Sequence, residues 1–149
     1  MKILISACLL GYNVRYDGTN KTNDFIFSLK DKYELIPICP ELFGGFNIPH
    51  PPIERKDDKV IDNQNIDVTK IIDKGSRYAY KQYQLNDCKF AILKSKSPSC
   101  GLNQIYDGTF SGKLTMGDGY FSEYLKNHQV RVFSENDIDD ILDYLKNCE

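Results

Sequence analysis

Cys8, Cys39 and Cys100 each follow a short apolar run, in "KILISAC", "YELIPIC" and "CKFAILKSKSPSC". The third closes "KSKSPSCG" (94–101), which sets Ser97, Pro98, Ser99 and Cys100 side by side directly after "CKFAIL" (88–93). Small hydroxyl side chains beside a thiol are poor core material. They suit a site that needs a soft ligand with hydrogen-bonding partners at close quarters. Three reduced thiols brought together could bind zinc, hold an iron–sulfur cluster or carry out thiol chemistry. Structural zinc takes four protein ligands, and iron–sulfur clusters usually take four cysteines, so a set of three leaves one metal position open. His50 in "NIPHPP" is the nearest candidate for a fourth ligand, but a lone histidine in a Pro-rich loop is more often solvated. A nucleophilic Cys100 would need a base, no CxxC occurs, and neither His50 nor His128 has an evident reason to sit beside it.

The elements around these residues bring them to one place. "KILIS" (2–6) is a compact apolar strand. A helix is expected over 23–33, capped by Asn23, with Phe25, Ile26 and Leu29 on one face. "YELIPI" (33–38) is a second strand, followed by a Gly-, Pro- and charge-rich stretch that reads as loop, with a small hairpin inside "DKVIDNQNIDV". A second helix covers 67–84, with Gly75 an unfavourable residue inside it. A third strand at 88–94 leads into the cysteine loop. "IYDGTFSGKLT" (105–115) resembles a hairpin or extended excursion, a helix covers 118–128, a fourth strand 129–134, and an amphipathic helix 135–147.

Strands alternating with helices predict an α/β class: a single-domain, Rossmann-like three-layer fold over residues 1–149 with a mainly parallel sheet. In such a sheet all strand C-termini lie on one edge, where ligands bind. Cys8, Cys39 and Cys100, 31 and 61 residues apart, converge on that edge, while Cys88 sits at the opposite end of its strand and Cys148 near the C-terminus. Helix N-termini face the same edge, and their partial positive charge favours thiolates and an anionic cluster. For any one cysteine, simple packing is the more economical reading. For three at equivalent positions it is not.

Composition narrows the function classes. A net charge of -2 gives no electrostatic footprint for nucleic acid. No run approaches the ~18 apolar residues of a membrane span, and the N-terminus reads as a strand rather than a signal peptide. The expectation is a cytoplasmic protein whose five cysteines stay reduced.

"SACLLGYNVRYDG", "CPELFGGFNIPHPPIE", "KSKSPSCG" with "IYDGTFSG", and the terminal "VFSE" resemble the ordered motifs of the thiouracil desulfidase family, long catalogued as a domain of unknown function. The resemblance runs from Ser6 to Glu135. It implies a 4Fe–4S cluster held by Cys8, Cys39 and Cys100, with the fourth iron open. It also implies non-redox removal of sulfur from thiolated uracil, or a related thioamide, as sulfide. The family's active-site glutamate falls on Glu41 and its serine on Ser97. One departure is His50, where the family often has arginine. Weaker candidates for contacting a small thiolated pyrimidine are Ser6, Arg15, Asp17, Ser99 and Gly119; Ser6 and Ser99 could instead donate to cluster sulfurs, and Gly119 could offer a backbone N–H at a helix start. Lys94 and Lys96 read as solvated charges. The competing reading is a zinc- or cluster-binding module, or sulfur carrier, with no desulfidase activity.

Overall fold

The computed structural model describes residues 1–148. Its strands and helices follow in the order β1 (Lys2–Ser6), α1 (Asp24–Ser28), β2 (Glu34–Ile38), α2 (Pro40–Gly44), β3 (Ile53–Lys56), β4 (Lys59–Asp62) and α3 (Thr69–Leu85). Then come β5 (Phe90–Leu93), β6 (Gln104–Tyr106), β7 (Leu114–Met116), α4 (Tyr120–Asn127), β8 (Val132–Ser134) and α5 (Ile138–Cys148). Four strands form a parallel sheet in the order β2-β1-β5-β8.

The alternation of side chains along the central strands explains the three layers. Ile3, Ile5, Phe90 and Ile92 face one side, where α1 brings Ile26 and α5 brings Ile141 and Leu145. Leu4, Ala91 and Leu93 face the other, against Ala79 of α3 and Phe121 and Leu125 of α4. Strands covered on both faces read as continuous apolar runs, which is why "KILI" and "FAIL" were legible. Pro37 is confined to the edge strand β2, where its missing N–H costs least.

Several expected elements shift. The first helix ends at Ser28 and continues as a 3₁₀ turn, Leu29–Asp31, with Asn23 accepting the Ile26 N–H at 3.1 Å as its cap. The small hairpin begins earlier than expected, with β3 and β4 turning at Asp57–Asp58. The 105–115 excursion is the antiparallel pair β6–β7. Helix α2 lies in a stretch that the sequence marks as loop. Its signals were there: Pro40 at the first helical position, Glu41 in the first turn, and Gly45 ending it in the left-handed region at φ +109°.

Gly75, anomalous inside a helix, is explained by α2. A Cβ at Gly75 would lie 1.7 Å from the Pro40 carbonyl oxygen, and one at Gly44 would lie 2.0 Å from that of Ile71. The two helices therefore cross backbone to backbone. Helix propensity alone would make Gly75→Ala stabilising by ~1 kcal/mol. Overpacking against an immovable backbone oxygen costs ~1–3 kcal/mol or more, and dominates. Gly75→Ala should lower the midpoint of thermal unfolding by several degrees. A variant as stable as the parent would mean that α2 is not pinned by α3.

Candidate active site

The strand order reverses between β1 and β5: the chain leaves β1 outward to β2, then returns to β5 on the other side of β1 and continues outward to β8. Such a reversal opens a crevice beyond the carboxyl ends of the strands. Cys8 sits there in the 3₁₀ turn Ala7–Leu10 that ends β1. Cys39 follows β2 and caps α2, its Sγ accepting the Leu42 N–H at 3.5 Å. Cys100 lies in the loop after β5. All three line one cavity of about 730 Å³. Cys88 is buried before β5, at the other end of the strand, and Cys148 is exposed at the end of α5.

Burial pushes the thiols of Cys8, Cys39 and Cys100 up to about 12. Neighbouring charge adds to this: Cys39 raises Cys8, Glu41 raises Cys39, and Cys8 raises Cys100 against a lowering hydrogen bond from Ser6. A catalytic cysteine needs the reverse, a thiol pulled down by a base or positive charge. His128 is engaged elsewhere, with Nδ1–H donating to the Tyr124 carbonyl at 2.8 Å. The thiol-nucleophile reading therefore finds no support. Among the described residues no three His, Cys, Asp or Glu side chains close on a point that would hold a single metal ion.

The cysteine loop is built around hydroxyls. Ser97 Oγ accepts the backbone N–H groups of Ser99 (3.2 Å) and Cys100 (3.0 Å). Ser99 Oγ donates to Glu41 Oε2 at 3.0 Å, with Cys100 Sγ a distant alternative at 3.8 Å. With the Ser99 proton committed to the carboxylate, Ser97 must be the donor in the 3.1 Å contact between the two hydroxyls. The result is a directed chain from Ser97 through Ser99 to Glu41.

Glu41, Ser97, Ser99, Ser6 and Arg15 all line the cavity with the thiols. Ser6 Oγ also accepts the Lys94 N–H at 2.9 Å, tying the end of β1 to the start of the cysteine loop. Asp17 and Gly119 do not line it. Asp17 closes a local turn by accepting the N–H and hydroxyl of Thr19, at 3.1 and 2.6 Å. The Gly119 N–H donates to the Gly101 carbonyl at 2.7 Å and is unavailable to a substrate. A Cβ there would meet Ser99 carbonyl carbon at 2.5 Å, so Gly119 lets α4 press against the cysteine loop instead. The next N–H groups of α4, from Tyr120 and Phe121, are likewise spent on the carbonyls of Pro98 and Ser99.

Three features escaped the sequence reading. Lys94 is not a solvated charge: its Nζ pairs with buried Glu135 at 3.1 Å, and it lines the cavity. The β6–β7 loop brings Tyr106 and Phe110 to the cavity wall, with Glu54 Oε1 accepting the N–H groups of Gly108 and Phe110 at 3.0 and 3.1 Å. His50 is buried, its side chain 4 % exposed, with Nε2 3.0 Å from Glu41 Oε1. Burial lowers its affinity for a proton, but the bonds to Glu41 and the Pro51 carbonyl outweigh that and hold it above the usual histidine range. Phe46 stacks on the ring with centroids 4.2 Å apart, a contact that no local sequence pattern announced.

Before iron is added, iodoacetamide at neutral pH should modify exposed Cys148 at least about tenfold faster than Cys8, Cys39 or Cys100, since each pKa unit removes tenfold of thiolate. Peptide mapping by mass spectrometry reads this directly. Equal labelling of all five cysteines would contradict the burial argument.

Comparison with known proteins bears on the family and the fold. A Bacillus subtilis (strain 168) protein, YbbK, described as uncharacterized, is 37% identical over 150 residues, spanning 94% of this chain and 99% of its own. The solved structure of the [4Fe-4S]-dependent thiouracil desulfidase TudS superposes with a TM-score of 0.92 at 37% identity, covering 97% of each chain. No helix among the described residues is long and apolar enough to cross a membrane. Residues 3–137 match the 2-thiouracil desulfurase family, and the chain belongs to it.

Proposed function

We propose that this protein removes sulfur from a thiolated pyrimidine, without net redox change, at a 4Fe–4S cluster held by Cys8, Cys39 and Cys100. The observation that carries the reading is the sharing of one cavity by these three thiols and Glu41. Three soft donors on three adjacent strand ends suit a multinuclear iron cluster, whose ligands bind separate irons, better than zinc, whose ligands crowd one ion. When bound, the cluster supplies an iron without a protein ligand, a Lewis acid matched to a soft thiocarbonyl sulfur.

The chain's own residues supply the rest. The cavity, about 730 Å³, is of the size that takes a small heterocycle, and Tyr16, Tyr106 and Phe110 offer flat apolar surface for a pyrimidine ring. Glu41 is the general base: its carboxylate takes a proton from the water whose oxygen forms the new bond to the ring carbon. The carbon–sulfur bond breaks as the carbonyl forms, and sulfur leaves with the bonding pair as hydrosulfide. Nothing is oxidised or reduced. Ser97 completes the hydroxyl chain that ends on Glu41, and that chain can pass a proton back toward the leaving sulfur. Lys94 and Arg15, both on the wall, offset the negative charge that thiolates bring to the site.

Anaerobically reconstituted protein should hold about four irons per chain. Ala at Cys8, Cys39 or Cys100 should abolish iron retention, while Ala at Cys88 or Cys148 should keep it. Glu41→Gln should keep the iron and lose ~10²–10⁴ in the rate of sulfide release from thiouracil, the usual worth of a positioned base. Tightly bound zinc with no iron uptake, or loaded protein that releases no sulfide, would favour the binding-module or carrier reading instead.

A further inference from the structure

His50 has a polar partner at each of its ring nitrogens. Its Nδ1 lies 2.7 Å from the Pro51 carbonyl oxygen. A carbonyl can only accept, so Nδ1 carries a hydrogen. A neutral imidazole would then present a bare Nε2 lone pair to Glu41 Oε1, 3.0 Å away, and two acceptors would face each other. A proton must therefore lie between them, and since the bonds to Glu41 and the Pro51 carbonyl both strengthen the imidazole's hold on a proton, the histidine carries it and donates at both nitrogens.

Every other contact of this side chain holds the ring in place. Phe46 stacks on it at 4.2 Å with planes 23° apart, and Tyr16 lies tilted beside it with centroids 6.2 Å apart. The His50 backbone N–H donates to the Tyr16 carbonyl at 2.7 Å, which ties the ring to the cavity wall. Phe46 and His50 come from the loop that follows α2, so Glu41 is braced by residues C-terminal to its own helix.

We propose that His50 is the positioning residue of Glu41: it occupies Oε1 with an N–H, leaving Oε2 as the oxygen that meets the serine chain and the reacting water. With Oε1 tied, the carboxylate cannot rotate to exchange its oxygens. The positive charge of a doubly protonated ring also offsets Glu41 beside three thiols, whose ionisation it otherwise opposes. Oε2 is bonded to Ser99 at 3.0 Å, so the carboxylate is fixed at both ends, by an imidazole on one side and a hydroxyl on the other. His50 does not itself line the cavity. Its effect passes through Glu41, and the inference rests on the desulfidase reading for what Glu41 does.

The test compares three proteins loaded with iron. His50→Phe keeps a ring to stack on Phe46 and removes both N–H donors; His50→Gln keeps one donor. With a thiouracil as substrate, His50→Phe should lose about 10–100-fold in kcat, the cost of a misplaced catalytic group, with KM within about threefold and iron content unchanged. His50→Gln should recover part of the loss. Wild-type kcat in His50→Phe overturns the proposal, and so does iron loss in that variant, which would make His50 a support of the cysteine segment. Should His50→Phe fail to fold, His50→Gln and a second readout decide. In loaded wild-type protein labelled with ¹⁵N-histidine, NMR at neutral pH should show both ring nitrogens of His50 protonated, and Glu41→Ala should return it to one. A single protonated nitrogen in the wild type overturns the proposal. If the wild type releases no sulfide, the desulfidase reading fails, while the nitrogen spectrum still decides whether His50 donates to Glu41.

Discussion

The hydrogen bond from Ser99 to Glu41 joins two segments that are distant in sequence and carry two of the three cavity thiols. Cys39 and Glu41 belong to the end of β2 and the start of α2; Ser99 and Cys100 belong to the loop after β5. A hydrogen bond to a charged carboxylate is worth ~1.5–3 kcal/mol, more than a neutral pair. Among the described residues it is the hydrogen bond that links the two thiol-bearing segments across the cavity, and without it Glu41 would lose one of its two anchors. The remaining architecture serves to hold both ends of this bond still.

On the Cys39 side, rigidity comes from absent side chains. Gly44 and Gly75 let α2 lie directly on α3, so the short helix is fixed by backbone contact rather than by its own marginal helical stability. On the Cys100 side, Gly119 does the same between α4 and the loop, and Gly101 lets the loop close on itself, since a Cβ there would meet the Ser97 carbonyl oxygen at 2.6 Å. Ser122 Oγ donates to the Cys100 carbonyl at 2.8 Å and adds a buried anchor. Cys8 is held by the central strand β1, and Ser6 couples that strand to Lys94. Each thiol is thus fixed by a different strand end, and their meeting is a consequence of the parallel sheet.

Much of this was legible because it depends on local pattern. The apolar runs of β1 and β5 gave the buried sheet, and the alternation of strands and helices gave its parallel order. That order alone brings Cys8, Cys39 and Cys100 to one edge. What stayed hidden depends on contacts between remote segments. Nothing near "NIPHPP" says that His50 faces Glu41, because the partner lies across a loop and the ring's place is set by Phe46 and Pro51. Lys94 looked solvated because Glu135, its partner, is 41 residues away. Gly119 looked like an anion site because a helix start offers N–H groups, and only the fold shows them spent on the cysteine loop. Helix α2 is too short for a hydrophobic period, so only its Pro and Gly punctuation announced it.

The direct test of a three-thiol cluster with a substrate position is Mössbauer spectroscopy of protein reconstituted with iron-57, with and without thiouracil. Three protein thiolates leave one iron of a cubane cluster without a protein ligand, so thiouracil should shift about a quarter of the iron signal and leave the rest unchanged. Four irons that respond alike, or a spectrum indifferent to thiouracil, would contradict it.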